Sequence, residues 1–260
     1  MTTRILSGIL LLPLLLTILV AGLPLYILGF IVTAIAIKEY TKALSVKSIN
    51  IYSVLGYTIS TCFFLKNIFN LDSVYLNIIS FILIVVSFVV ILIQKRSLKD
   101  LTLNLIGFFY ITWGFDAIVC IINNFEHGNI YVWLIFIVSL LSDTMAYFVG
   151  SFFGKHKLAP KLSPKKTIEV SLVAIFFSTI GFLIFSIVFS LNIPLLIIIG
   201  ITGSIVSQIG DLLASFVKRY VGIKDYGNLI PGHGGILDRC DSIILVSQYI
   251  YILLYIIQKF

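Results

Sequence analysis

Leu195-Leu-Ile-Ile-Ile-Gly-Ile-Thr-Gly-Ser-Ile-Val-Ser-Gln-Ile-Gly-Asp-Leu-Leu-Ala-Ser-Phe216 contains a single charged side chain, Asp211. A bilayer's hydrocarbon core, about 30 Å thick, is crossed by ~20 helical residues, and this run is long enough. Lipid offers no partner to backbone N–H and C=O groups, so such a run must satisfy them internally as a helix. The same reading extends to Ile5–Val20, Leu23–Ile37, Ile51–Leu65, Val74–Ile93, Leu101–Ile122, Ile130–Phe153, Val170–Ser190 and Ser242–Gln258. Charged or Gly/Pro/Asn-rich breaks separate these runs, and the first three are short for a span. The spacing predicts nine spans; merging the first two across Gly22 and Pro24 would leave eight.

Composition points the same way. Of 260 residues, 60% are hydrophobic and 11% charged, and the mean hydropathy is +1.13. A soluble domain carries roughly 25% charged residues. This chain cannot cover a water-facing surface, so most of it faces lipid. The expected fold is all-α: a polytopic transmembrane helical bundle forming one integral membrane domain over residues 1–260. Arg4 followed by Ile5–Val20 and Ala21 has the look of a signal peptide. With so many spans after it, an uncleaved first helix is the better reading. Cys62, Cys120 and Cys240 show neither a disulfide framework nor zinc-site spacing.

The charge distribution orients the bundle. With the N-terminus inside, alternating spans place 16 of the 18 basic residues on the cytoplasmic side. Only Lys66 and Lys259 fall outside. This bias predicts an N-in, C-out topology, and it explains the net charge of +7 without nucleic acid. The two longest loops, Gly154–Glu169 and Val217–Asp241, then share the cytoplasmic side. Both are rich in Lys, Gly and Pro.

Carboxylates at membrane depth cost about 2.5–3.5 kcal/mol each, so they need a reason. Asp116, in the outer half of the fifth span with only Thr112 for polar company, is read as structural. Asp143 belongs to a stripe (Ser139, Ser142, Asp143, Tyr147, Gly150, Ser151) along one face of the sixth span. Ser204, Ser207, Gln208, Asp211 and Ser215 form a second stripe in the eighth. Asp238 and Asp241 lie three apart where the ninth begins. Serines and Gln208 can join helices by hydrogen bonds. Several aspartates converging beside two basic loops need a cation, and oxygen ligands suit Mg²⁺. Pro231-Gly-His-Gly-Gly235 lets the backbone approach a phosphate. His233 could be a general base, a phosphate donor or a turn residue and, flanked by glycines, reads first as a phosphate contact, whereas His127 and His156 are isolated. Lys218, Arg219, Lys224 and Arg239 can neutralise phosphate oxygens. An anion, a divalent cation and flexible donors are the parts of phosphoryl or nucleotidyl transfer.

Ser215 to Asp241, S-x-V-K-R-x4-K-D-x-G-x2-I-P-G-H-G-G-I-x-D-R-x-D, resembles the signature of the phosphatidate cytidylyltransferase (CDP-diacylglycerol synthase) family. Ser207–Ser215, Ser142–Gly150 and Ser163–Glu169 are similar to family segments as well. Met145 and Val170 depart from the family's usual small residue and glycine. The resemblance covers about half the chain and implies synthesis of CDP-diacylglycerol and pyrophosphate from CTP and phosphatidic acid. It divides the domain into N-terminal helices, 1–122, and catalytic helices and cytoplasmic loops, 130–260. It implies Asp211, Asp238, Lys224 and Arg239 as catalytic residues, with Asp211 and Asp238 on Mg²⁺ and a place for a second cation such as K⁺. Lys165, Lys166, Lys218, Arg219, His233, Ser207 and Ser215 would bind substrate, supported by Asp143 and Asp241. A homodimer in the cell membrane, its active site facing the cytoplasm, completes the expectation. Two other readings stay open: a CTP-dependent kinase for a membrane alcohol, and a transporter using the aspartates as an ion path.

Overall fold

The computed structural model describes residues 17–94, 97–153, 156–160, 162–229 and 234–259. Among them are eight long helices: α1 (Gly22–Val46), α2 (Ser53–Phe69), α3 (Ser73–Gln94), α4 (Leu98–Asn124), α5 (Gly128–Phe153), α6 (Ile168–Val188), α7 (Ile193–Val221) and α8 (Leu237–Lys259). Most of the first expected span lies outside the described residues; residues 17–20 are helical. The chain breaks before α1, where Ala21 takes φ 55° and Gly22 φ 65°, so the first two runs are not one helix.

Among the described residues five helices are long and apolar enough to cross a membrane: α1, α4, α6, α7 and α8 through Gln258. Shorter apolar stretches, Val74–Val89 and Gly128–Ser142, lie within α3 and α5. Large apolar side chains stand exposed along α3, among them Val74, Ile78, Phe81, Ile82 and Phe88. A solvated surface would not tolerate such a continuous apolar face, and lipid accounts for it.

The helices α5, α6, α7 and α8 pack each on the next, and α8 returns onto α4. On its other side α4 meets α1 and α2, while α3 lies at the edge against α2. α4 is therefore the most enclosed helix. Its Gly114 packs against Ile244, where an added Cβ would stand 2.9 Å from backbone atoms of that residue. Ser247 donates to the Gly114 carbonyl at 2.6 Å, and Gln248 to Tyr110 O at 3.0 Å. Close approach at a small residue, tied by polar side chains, is how membrane helices associate where hydrophobicity gives no preference.

Local sequence sets the ends of α7. Asn192 accepts the Leu195 N–H at 3.1 Å as N-cap, and Pro194 occupies the first turn, where its missing N–H costs nothing. At the far end Gly222 takes φ 84°, and the N–H groups of Gly222 and Ile223 donate to Arg219 O and Lys218 O. Lys218 and Arg219 thus belong to the helix and not to the loop after it. α8 likewise begins at Leu237, five residues ahead of the expected span, and carries Asp238 and Asp241 in its first turns.

Three sequence expectations need correction. The Gly154–Glu169 segment is more than a loop: β1 (Lys157–Ala159) and β2 (Ser163–Thr167) pair antiparallel, the one hairpin among the described residues. His156 is not isolated, since its Nδ1 lies 2.6 Å from Glu169 and its backbone N–H donates to the same carboxylate. Asp116 has polar company from another helix: Asn67 on α2 donates to it at 2.6 Å, and Cys120 Sγ lies at 3.4 Å. The partner comes from a helix far away in sequence, and Thr112 Oγ1 has no hydrogen-bond partner among the described residues.

Candidate active site

Ser204, Ser207, Gln208, Asp211, Ser215 and Lys218 recur every three or four residues, so they share one face of α7. The upper members are uncharged. Gln208 accepts from Ser171 Oγ on α6 at 2.5 Å. Ser207 is buried where α5, α6 and α7 meet. Below them the stripe becomes charged, and each charge is met from a different element.

Asp211 pairs with Lys166 of β2, a strand that packs against α5 and α6. The hairpin therefore turns a basic segment into a fixed arm. Ser142, Lys166, Thr167, Val170, Ser207, Gln208 and Asp211 line a common cavity of about 30 Å³, room for a water or two. Val170, one of the two departures from the family pattern, is buried in that wall.

Lys218 lies seven residues beyond Asp211, about 10 Å along the same face at ~1.5 Å per residue. Its Nζ donates to Asp238 Oδ1 at 2.9 Å, with the two side chains only 11% and 5% exposed. Asp238 Oδ2 accepts the backbone N–H groups of Tyr226 at 2.7 Å and Gly235 at 3.0 Å. Asp238 thus folds the segment after α7 back onto the start of α8. Gly234 in that turn has φ 93°, a conformation other residues rarely adopt. Asp241, buried one turn further along α8, lies within electrostatic reach of Lys218, Lys166 and Asp238.

The remaining expected residues distribute as follows. Ser215 is half-buried on α7 beside Ala214, whose carbonyl accepts from the buried Tyr226 hydroxyl at 3.2 Å. Arg219 is exposed and donates to Ile223 O at 3.2 Å, helping to close α7. Lys224 and Arg239 are exposed on the same end of the bundle. His233 lies outside the described residues, as do the side chains of Asp143 on α5 and Lys165 on β2. The structure therefore brings together Asp211, Lys166, Lys218, Asp238 and Asp241.

One residue of this neighbourhood went unnoticed in the sequence. Glu39 of α1 is buried, and its carboxylate accepts the N–H groups of Ile236 at 3.0 Å and Leu237 at 2.8 Å. The signal was available: an acidic residue at the end of an apolar run carries the same insertion cost as the aspartates.

Asp211 and Asp238 each point an oxygen at an ammonium group, so each is already placed to meet positive charge. Asp238 has only Oδ1 to offer, since backbone donors hold Oδ2. Among the described residues no three His, Cys, Asp or Glu side chains gather as a metal cage. A donor set of one or two carboxylates fits Mg²⁺, which keeps waters and takes its other ligands from substrate phosphates. It does not fit a cation that needs a full protein shell.

An apolar helical bundle with paired Lys and Asp at one end is of the class that a membrane-embedded enzyme of anionic substrates would occupy. The chain belongs to the cytidylyltransferase family, whose model matches residues 2–257. It is similar to the phosphatidate cytidylyltransferase of Bacillus subtilis (strain 168), at 32% identity over 98% of this chain and 97% of the relative. The enzyme of that name from Staphylococcus haemolyticus (strain JCSC1435) is 35% identical over 97% of this chain and 96% of its own length. The match to the Staphylococcus aureus (strain COL) enzyme is 37% over 62% of each chain.

Proposed function

We propose that the two Lys–Asp pairs on the lower face of α7 are where a cytidylyl group passes from CTP to phosphatidic acid. The chain is a phosphatidate cytidylyltransferase: it makes CDP-diacylglycerol and pyrophosphate for phospholipid synthesis in a membrane. An oxygen of the lipid phosphate attacks the α-phosphorus of CTP, the bond from that phosphorus to the bridging oxygen breaks, and pyrophosphate leaves with its electron pair. The attacking phosphate is already an anion, so no general base is needed.

The demands on the protein are positioning and charge. Lys166 of β2, paired with Asp211, and Lys218, about 10 Å along α7 from that aspartate, can each leave a carboxylate for a phosphate oxygen when substrate arrives. Arg219, Lys224, Arg239, Lys165 and His233 would add to that field, with Ser207 and Ser215 as polar contacts. Asp211 and Asp238 would hold Mg²⁺, supported by Asp143 and Asp241, and a second cation such as K⁺ belongs to the same reading. The metal would supply charge neutralisation on the phosphates. Lys166 and Lys218 would orient the chain of phosphates, with Asp241 within electrostatic reach of both.

The observation that carries this reading is the juxtaposition of Lys166–Asp211 with Lys218–Asp238 in a chain of this family. The placement of the basic residues supports nine spans with the N-terminus inside, an arrangement in which the site would face the cytoplasm from the cell membrane. The homodimer rests on the family resemblance alone. Labelled CTP tests the chemistry: label from the α-phosphate enters the lipid, and entry of γ-label alone would mean a kinase instead.

A further inference from the structure

We infer that Glu39, from the N-terminal helices, is a positioning residue that sets where the Asp238-bearing turn sits. It rests on the reading of the site given above. Helix α8 begins at Leu237, and the N–H groups of a helix's first turn have no partner within the helix. Asp238 and Glu39 divide those of the entry turn between them. Gly235 donates to Asp238, Ile236 to Glu39 Oε1 and Leu237 to Glu39 Oε2. Three successive peptides are thus held by two carboxylates, one of them 198 residues away in the chain.

The arrangement uses the charge as well as the shape. A carboxylate accepts through both oxygens and lies at the positive end of the α8 dipole. An amide in its place would present an NH₂ group to one of the two N–H donors. The fit is close: a Cβ at Gly227 would stand 2.6 Å from Glu39 Oε1, and one at Gly235 would meet the same carboxylate. Both glycines therefore give Glu39 its room. Glu39 thus ties α1 directly to the turn that carries Asp238, in addition to the hold of α4 on α8 at Gly114.

The test uses the purified full chain in nanodiscs, with wild type, Glu39→Gln, Glu39→Asp, Glu39→Ala and Gly227→Ala. Glu39→Gln should lower kcat by roughly tenfold to a hundredfold with KM for CTP within about threefold, because a charge-assisted pair is lost away from the nucleotide. Glu39→Asp, shorter but charged, should recover part of that loss. Gly227→Ala should reproduce the pattern with Glu39 intact. Hydrogen exchange supplies a readout independent of turnover: the Ile236 and Leu237 amides should exchange about tenfold faster or more in Glu39→Gln, with α4 and α7 unchanged. Wild-type exchange and kcat in Glu39→Gln would overturn the inference. So would a kcat loss that only matches the fraction of protein unfolded, with Glu39→Asp no better than Glu39→Ala. Absence of CDP-lipid from wild type would sink the functional reading instead, leaving exchange to decide the role of Glu39.

Discussion

Asp211 and Asp238 have similar ion pairs but different burial, and the difference separates their variants. The Lys166–Asp211 side chains are 21% and 24% exposed, whereas those of Lys218–Asp238 are 11% and 5% exposed. Asp211→Asn and Asp238→Asn should each reduce CDP-diacylglycerol formation by about a hundredfold or more, measured with labelled CTP in membranes. Equal activity in all three proteins would refute the assignment of both carboxylates. Their stabilities should diverge. Asp238→Asn leaves the Lys218 ammonium buried without its counter-charge and should cost about 3–5 kcal/mol. Asp211→Asn frees a better-solvated lysine and should cost under about 1 kcal/mol, after allowing for solvent screening. Thermal unfolding in detergent distinguishes the two. The aspartates were legible as residues because acid in an apolar helix is expensive. Their lysine partners were legible only as a basic population, since nothing in a sequence says which lysine reaches which carboxylate.

Helices α4 and α8 touch at Gly114 with no space between backbones. Gly114→Val should wedge them apart, lowering both the unfolding temperature and the activity, whereas Gly203→Ala on α7, with nothing nearer than 3.7 Å, should leave both near wild type. Wild-type behaviour of Gly114→Val would show that this contact is not needed. Element existence was readable from apolar run length, and every described helix coincides with an expected run. Element ends were not. Lys218 and Asp238 were read as loop or boundary residues because charge ends a hydropathy window, yet backbone hydrogen bonding carries α7 to Val221 and starts α8 at Leu237. The hairpin was hidden for a related reason: five residues of β2 holding two lysines have no apolar alternation to announce a strand.

Across the whole molecule, the site lies at one end of the bundle and the Asn67–Asp116 pair toward the other. Asn67→Ala should destabilise the protein by about 1–3 kcal/mol, through a buried carboxylate left short of a donor. Specific activity of the surviving folded protein should stay near wild type. A loss of activity without loss of stability would tie Asp116 to the chemistry. Orientation is checked in intact cells with a membrane-impermeant maleimide. His127→Cys should react directly and Asp225→Cys only after permeabilisation, both positions being exposed. The reverse pattern would overturn the N-in topology.

Membrane embedding and helical class were determined by the amino-acid sequence alone, because apolar content and run length act through the backbone's need for internal hydrogen bonds in lipid. The run Leu195–Phe216 showed that much, together with the face on which Asp211 lies. The tertiary structure alone decided which charges meet. Lys166 reaches Asp211 only because a hairpin packs on α5 and α6 beside α7, and Lys218 meets Asp238 only because the intervening segment turns back. Glu39 reaches the start of α8 only because α1 packs beside it. Those pairings depend on distances between helices, and helix periodicity carries no information about its neighbour's register.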